Sequence, residues 1–484
     1  MSLRPLHGLG VALWAAAAAW VWAHPVGFPS DDALFLTRGV ERFSVLELAP
    51  HFPGYPGLIW IARACAAVTG DAAHAVHLVS ALGALALPVL AFAFVRAAGA
   101  GTGAAFLSFL GVLLNPLLPA LALSMLSDSL GLALLLGYLL AIERRCWRTS
   151  GLLLGLALAA RPSYAVMVGA ALLAVILWER RRLGVVCAGV AAVGLASLGF
   201  VLAADGTAYF SEGVRFVSGH FSIWGAPEPG AGPARWTARL AELLGGPVGL
   251  AGVGAALAWA LASLEWSRFS LRSAAALLGA YTAWMFAAQN PESARHAAPV
   301  LVLALSLLAL GLDRARPRAM ALAAGSLVVA LCAYLTLTRV TPTPSAAPLQ
   351  RASAALPDSP DALLLTQRGV EVLRAAHPEL RILDVYYEAS ADYAMRSPAD
   401  RSILRISGTP LPDPWRVLET FEARFPGESA LTLFTLDPPR THRADPGAMP
   451  FPPPRLHARD RAPRRPPEAP PVAPGTRRAP HPPR

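Results

Sequence analysis

The chain has 484 residues, 55% hydrophobic and only 15% charged, with a mean hydropathy of +0.47. Soluble domains carry about a quarter charged residues, so this composition excludes an ordinary soluble enzyme and indicates a polytopic membrane protein with soluble portions. The net charge of +10 sits mostly in short loops between apolar runs and in the C-terminal tail, a topology signal rather than a groove for nucleic acid.

Runs of about 20 apolar residues mark candidate spans. They fall near 8–23, 74–95, 102–121, 126–142, 183–203, 247–264, 272–288, 297–312 and 318–338. The first run lacks a convincing small-residue cleavage site before Pro25 and reads as a retained helix. A further run, 151–178, is too long for one span and holds Arg161-Pro162 at its middle. Proline disfavours helix continuation and restricts the residue before it, so a turn between two short helices is predicted there. Arg96 and the arginine clusters at 143–148, 179–182, 265–272 and 313–318 should all face the cytoplasm. With 151–178 going out and back, about 11 transmembrane helices result. Residues 24–73, 204–246 and everything after about 340 then lie outside, as do the loops at 124–129 and 289–296. The expected architecture is an all-α membrane bundle over 1–340 with a long first outer loop carrying surface helices.

Residues 345–437 read differently. Strand-like runs at 362–366, 380–386, 402–407 and 430–436 alternate with helix-like runs at 369–377 and 414–425, which predicts a small extracytoplasmic α/β domain. From 438 to 484 the chain is rich in Pro and Arg and reads as a disordered tail. The four cysteines, Cys65, Cys146, Cys187 and Cys332, are far apart and suggest neither a disulfide framework nor a metal knuckle. Every basic side chain among the 41 is arginine.

Residues able to do chemistry collect on the outer side. Asp31 and Asp32 open DDALFLTRGVERF, an amphipathic stretch with Leu34, Leu36, Val40 and Phe43 among its apolar positions. Ser30 is a good N-cap and acids in a first turn complement the helix dipole, so capping and reactivity are both open readings. His51 and Tyr55 lie in PHFPGYPG, which reads first as a rigid Pro/Gly connector. Asp128 follows Ser127 at a helix start. Two carboxylates converging there, Asp31 and Asp128, could hold a divalent cation such as Mg or Mn. Arg161 at the intramembrane turn needs either an acidic partner, Asp128 or Asp31, or a phosphate. FVSGHFSIWG carries His220 and Trp224, by default an interfacial anchor. QNPESARH carries Gln289, Arg295 and His296, where arginine beside histidine suits an anion.

As a set, DDALFLTRGVERF, PHFPGYPG, LNPLLPALALSMLSDSLGLALLLGYLLA, RPSYAV, HFSIWG and QNPESARH resemble bacterial members of the GT-C superfamily of membrane glycosyltransferases. That group includes the protein O-mannosyltransferases and the aminoarabinose transferases of lipid A. The resemblance covers about residues 8–340. It implies Asp31 as the first-loop catalytic acid, Asp32 as its acidic neighbour and Asp128 as the second acidic position. It further implies a polyprenyl-phosphate sugar donor, inverting transfer of a hexose or pentose to a hydroxyl of a glycan, lipid or protein acceptor, and a place in the bacterial inner membrane, facing the cell envelope. Some relatives use a lysine near the donor phosphate. This chain has none, so Arg161 or Arg295 would substitute. The alternative is a transporter or flippase of a lipid-linked or anionic substrate, which should place charge at the midplane in repeated halves. No internal repeat is evident.

Overall fold

The computed structural model describes residues 4–219, 232–357, 359, 361–385 and 402–436. The helices in chain order are α1 (Arg4–Trp22), α2 (Asp31–Glu41), α3 (Pro56–Thr69), α4 (Ala72–Ala97), α5 (Thr102–Leu113), α6 (Leu118–Leu123) and α7 (Asp128–Glu143). Next come α8 (Trp147–Ala160), α9 (Ala165–Trp178), α10 (Leu183–Asp205), α11 (Ala208–Gly219), α12 (Gly232–Leu243) and α13 (Pro247–Ala262). The bundle closes with α14 (Phe269–Ala288), α15 (Ala298–Arg314) and α16 (Arg318–Arg339), and α17 (Pro348–Ala354) follows. Among the described residues, four helices (α4, α10 with its preceding turn, α15 with its preceding turn, and α16) are each long and apolar enough to cross a membrane. The pair α12 and α13, bent by 91°, passes the same criterion when taken together. Several other helices are apolar but shorter.

Their burial differs for a physical reason. α15 is enclosed by other helices over 83% of its apolar window, whereas α10 and α16 are only 22% and 28% enclosed. The outer faces of these two expose Leu195, Leu327 and Leu337. An apolar surface of that kind is costly in water and neutral against lipid tails, as a multi-pass membrane protein requires.

The predicted break at Arg161-Pro162 is present. Gly151 and Gly155 of α8 approach Val186 and Val193 of α10, so the two helices run in the same direction and α9 must bring the chain back between them. One predicted span is corrected. The run 102–121 is interrupted after Leu113, where Pro116 cannot donate a backbone hydrogen bond and Asn115 Oδ1 accepts the Leu117 N–H at 2.9 Å.

The C-terminal region forms a mixed five-stranded sheet of β1 (Leu363–Thr366), β2 (Arg381–Asp384), β3 (Ile403–Ser407), β4 (Trp415–Phe421) and β5 (Leu431–Leu436), in the order β2-β1-β3-β5-β4. β1 is parallel to β2 and β3, while β5 is antiparallel to β3 and β4. The helix α18 (Val370–Ala376) crosses from β1 to β2. The segment 414–425, read as a helix from its sequence, is instead strand β4 and the turn after it. Its partner β5 supplies a ladder of hydrogen bonds, with an irregularity between Val417 and Glu419, and this pairing overrides local propensity. The sheet packs with bundle and loops as one compact unit ending at Pro438.

Helix α2 is also placed differently from expectation. Its apolar residues are buried on two sides. Ala33, Leu36 and Val40 are buried with Phe43, Val45, Leu58 and Ile59 in one apolar cluster. Leu34, on another side of the helix, is buried with Leu349, Leu364, Val370 and Leu373 in the core of the C-terminal region.

Candidate active site

Helix α2 begins at the N-cap Ser30, whose Oγ accepts from the Ala33 N–H at 3.4 Å. Its far end is held by Arg63 of α3, which donates to the carbonyls of Val40 and Gly39 at 2.9 and 3.2 Å. Burial on two sides and bonding at both ends fix the rotation of the helix. The two acids that open it therefore point to different surroundings. Asp31 Oδ1 accepts the backbone N–H groups of Glu371 and Val372, at 2.9 and 3.0 Å, in the first turn of α18. Burial raises its carboxyl above the ordinary value, against the pull of those two hydrogen bonds. Asp32 Oδ1 lies 3.7 Å from His51 Nδ1, and its side chain stays 45% exposed.

His51 continues the line of polar contacts. Its Nε2 is 2.9 Å from the hydroxyl of Tyr55. Its two ring nitrogens thus face different neighbours, Nε2 the Tyr55 hydroxyl within hydrogen-bond distance and Nδ1 the Asp32 carboxylate at ion-pair range. Phe216 of α11 stacks on the imidazole at 5.5 Å between centroids, and Tyr209 of the same helix donates to the Pro53 carbonyl at 3.3 Å. Tyr55 itself has φ +50°, a left-handed conformation that a bulky residue rarely adopts and that tends to be retained at functional sites. Burial pushes its phenol to about 12, so it remains a proton donor. The charges of Arg161, Asp32, Asp128 and Arg295 all bear electrostatically on that hydroxyl.

Asp128 is the buried centre of the second half. Its side chain is only 3% exposed. Arg161 Nη2 meets Oδ1 at 2.9 Å and Arg295 Nε faces Oδ2 at 3.6 Å. Arg161 Nη1 also donates to Ser127 Oγ at 3.4 Å, and Tyr164 donates to the Asp128 backbone carbonyl at 3.2 Å. Of the two partners that the sequence allowed for Arg161, the structure selects Asp128. One carboxylate facing two guanidiniums leaves the cluster with a net positive charge. Arg161 Nε is buried with no hydrogen-bond acceptor among the described residues. Arg295 turns its remaining surface to a cavity of about 180 Å³, shared with Ser30, Ser124, Glu292, Arg368 and Glu428 among others.

The assembly depends on two close approaches. A Cβ on Gly57, at the start of α3, would sit 2.7 Å from the Ala160 backbone nitrogen at the end of α8. One on Gly131 of α7 would sit 2.8 Å from Arg161 Cβ and 2.9 Å from the Tyr164 ring. Only glycine lets Tyr55, Asp128 and Arg161 come together from three helices.

The other expected residues are placed as follows. Gln289 caps α14 and its carbonyl accepts from Trp236 Nε1 at 2.9 Å, so it holds the loop rather than the charged cluster. His296 is buried in the short helical turn after Arg295. His220 and Trp224 lie outside the described residues. The carboxylates of Asp31 and Asp128 are engaged separately, by backbone amides and by guanidiniums. That donor set does not fit a shared divalent cation, and the described residues hold no cluster of three or more His, Cys, Asp or Glu side chains able to bind one. Tyr164, Tyr281, Phe216, Glu371 and Arg368 were not singled out from sequence. Tyr164 was legible, three residues after Arg161 at the broken span, and Tyr281 packs edge-on against it at 5.7 Å.

No protein-family model matches the chain, and no curated protein matches it. Among solved structures, ArnT from Cupriavidus metallidurans bound to undecaprenyl phosphate superposes with a TM-score of 0.51 at 13% identity, over 90% of this chain and 97% of that one. The apo state of the same ArnT gives a TM-score of 0.47 at 14% identity, over 87% of this chain and 97% of that one. The chain has the GT-C fold.

Proposed function

We propose that this GT-C protein transfers a sugar from a polyprenyl-phosphate donor to an acceptor hydroxyl, with inversion, on the outer face of the bacterial inner membrane. The observation that carries the reading is the buried Arg161–Asp128–Arg295 cluster. It holds a net positive charge, and both it and the half-exposed carboxylate of Asp32 act electrostatically on the Tyr55 hydroxyl. The ArnT of similar fold is described bound to undecaprenyl phosphate, which supports a ligand of that class.

The chemistry runs through this chain's own side chains. Asp32 takes the proton of the acceptor hydroxyl as its oxygen attacks the anomeric carbon. The bond from that carbon to the phosphate oxygen breaks, and the polyprenyl phosphate leaves with the electron pair. Arg161 and Arg295 stabilise the charge on the departing phosphate. His51 and Tyr55 orient Asp32 through their contacts. General-base assistance of this kind contributes about 10²–10⁴-fold. The sequence resemblance pointed to Asp31 as the base. The hydrogen bonds of Asp31 to α18 favour Asp32 in this role.

The test is reconstitution with a polyprenyl-phosphate sugar and titration with undecaprenyl phosphate. The wild type should bind the lipid phosphate and turn over the donor. Arg295→Ala should weaken binding, and Asp32→Asn should bind normally without turnover. Full turnover by Asp32→Asn, or no binding of undecaprenyl phosphate by the wild type, would sink the reading.

A further inference from the structure

The C-terminal sheet region reaches back across 340 residues to touch the first acid of α2, and that contact has no counterpart in the chemistry above. Three observations meet there. Asp31 Oδ1 alone accepts both the Glu371 and the Val372 N–H, which are among the unpaired donors at the start of α18. Arg38, on the same helix as Asp31, places Nη1 3.8 Å from Glu371 Oε2, and Arg374 holds the other oxygen of Glu371 at 2.7 Å. Leu34 is inserted among Leu349, Leu364, Val370 and Leu373. Positions 31, 34 and 38 lie one helical turn apart in succession, so they form a single stripe along α2. Asp32 stands just off that stripe and faces His51 instead.

We infer that Asp31 is a positioning residue: with Leu34 and Arg38 it locks α2 onto the C-terminal sheet region, and this lock sets the direction in which Asp32 points. The C-terminal region is thereby part of the catalytic apparatus. A rotation of α2 by one residue would carry Asp32 away from His51, and the lock opposes it from the side opposite to the Leu36–Val40 cluster. The docking part of this inference stands on geometry alone. Its consequence for turnover rests on the glycosyl-transfer reading.

The experiment uses the full chain in detergent or nanodiscs and compares Asp31→Asn with Asp31→Ala. Asparagine keeps the one oxygen that accepts both amides; alanine removes it. Amide hydrogen exchange over 370–376 reads the lock without any substrate. Exchange should quicken about tenfold in Asp31→Ala, as for loss of a helix cap, and stay near wild type in Asp31→Asn. Turnover of whichever polyprenyl-phosphate sugar the wild type accepts should fall in Asp31→Ala and largely recover in Asp31→Asn, with the pH profile unchanged. Unchanged exchange in Asp31→Ala would overturn the lock. If Asp31→Asn kept exchange protection but was as inactive as Asp31→Ala, Asp31 would be the base and its positioning role would fall. Absence of turnover in the wild type would count against the glycosyl-transfer reading only, since the exchange result would still decide the lock.

Discussion

Two adjacent aspartates behave differently because one helix separates their surroundings. Asp31 faces amide donors inside the protein, and Asp32 faces an imidazole beside open space. Asp32→Asn should lower turnover by about 10²–10⁴-fold while leaving the melting temperature close to wild type, because the side chain is half exposed and makes no hydrogen bond among the described residues that asparagine would lose. Asp31 carries a pH signature. Its folded pKa is raised by burial above the ordinary 3.8, so its protonated form favours the fold. That contribution is full below the ordinary value and is lost as pH rises through the raised one. Asp31→Asn should therefore be at least as stable as wild type at about pH 7, with the advantage vanishing at about pH 3, as read by thermal unfolding. Asp128 differs in what its loss leaves behind. Asp128→Ala leaves Arg161 buried without its carboxylate, and such losses cost about 3–5 kcal/mol. A lowered melting temperature and lost lipid-phosphate binding are both expected, and Arg161→Ala should show the same pair of losses.

Elements bring these residues together through backbone proximity. α3, α7 and α8 meet where Gly57 touches Ala160 and Gly131 touches Arg161. Nothing in a sequence marks a glycine as a contact rather than a flexible position, so these two were invisible before the fold. Gly131→Val would force Arg161 and Tyr164 outward. Overpacking of this kind costs about 1–3 kcal/mol, and the larger effect should be on activity, since the arginine would leave Asp128. Turnover at or near the wild-type rate in Gly131→Val would show that the contact is not required. The broken span at Arg161-Pro162 was legible from proline chemistry and the arginine flanks, and it delivers the arginine to the site. β4 was not legible. Its residues read equally well as an amphipathic helix, and only the antiparallel partner β5 decides between the two.

At the scale of the whole molecule, α2 acts as the shared wedge between the loop cluster and the C-terminal core. Leu34→Ala should cost about 2–5 kcal/mol if the site cannot collapse, and limited proteolysis should then cut first within the C-terminal region. Cleavage confined to the transmembrane helices would contradict the wedge. The same arrangement makes the 180 Å³ cavity a product of three parts of the chain, with Ser30 from the first loop, Ser124 and Arg295 from the bundle, and Arg368 and Glu428 from the C-terminal region.

Composition and the arginine pattern were enough to establish a multi-pass membrane protein, because the energy of placing apolar runs in lipid and charge outside it depends on sequence alone. The paired acids of the first loop, Asp128 and the two arginines were also visible, since charged side chains in an apolar chain stand out. Their partners were not. Which acid faces His51, which one caps α18, and which carboxylate Arg161 chooses depend on the rotation of α2 and on the packing of three helices at glycines. Those are set by contacts between residues up to 340 positions apart, and only the tertiary structure brings such residues within hydrogen-bond reach.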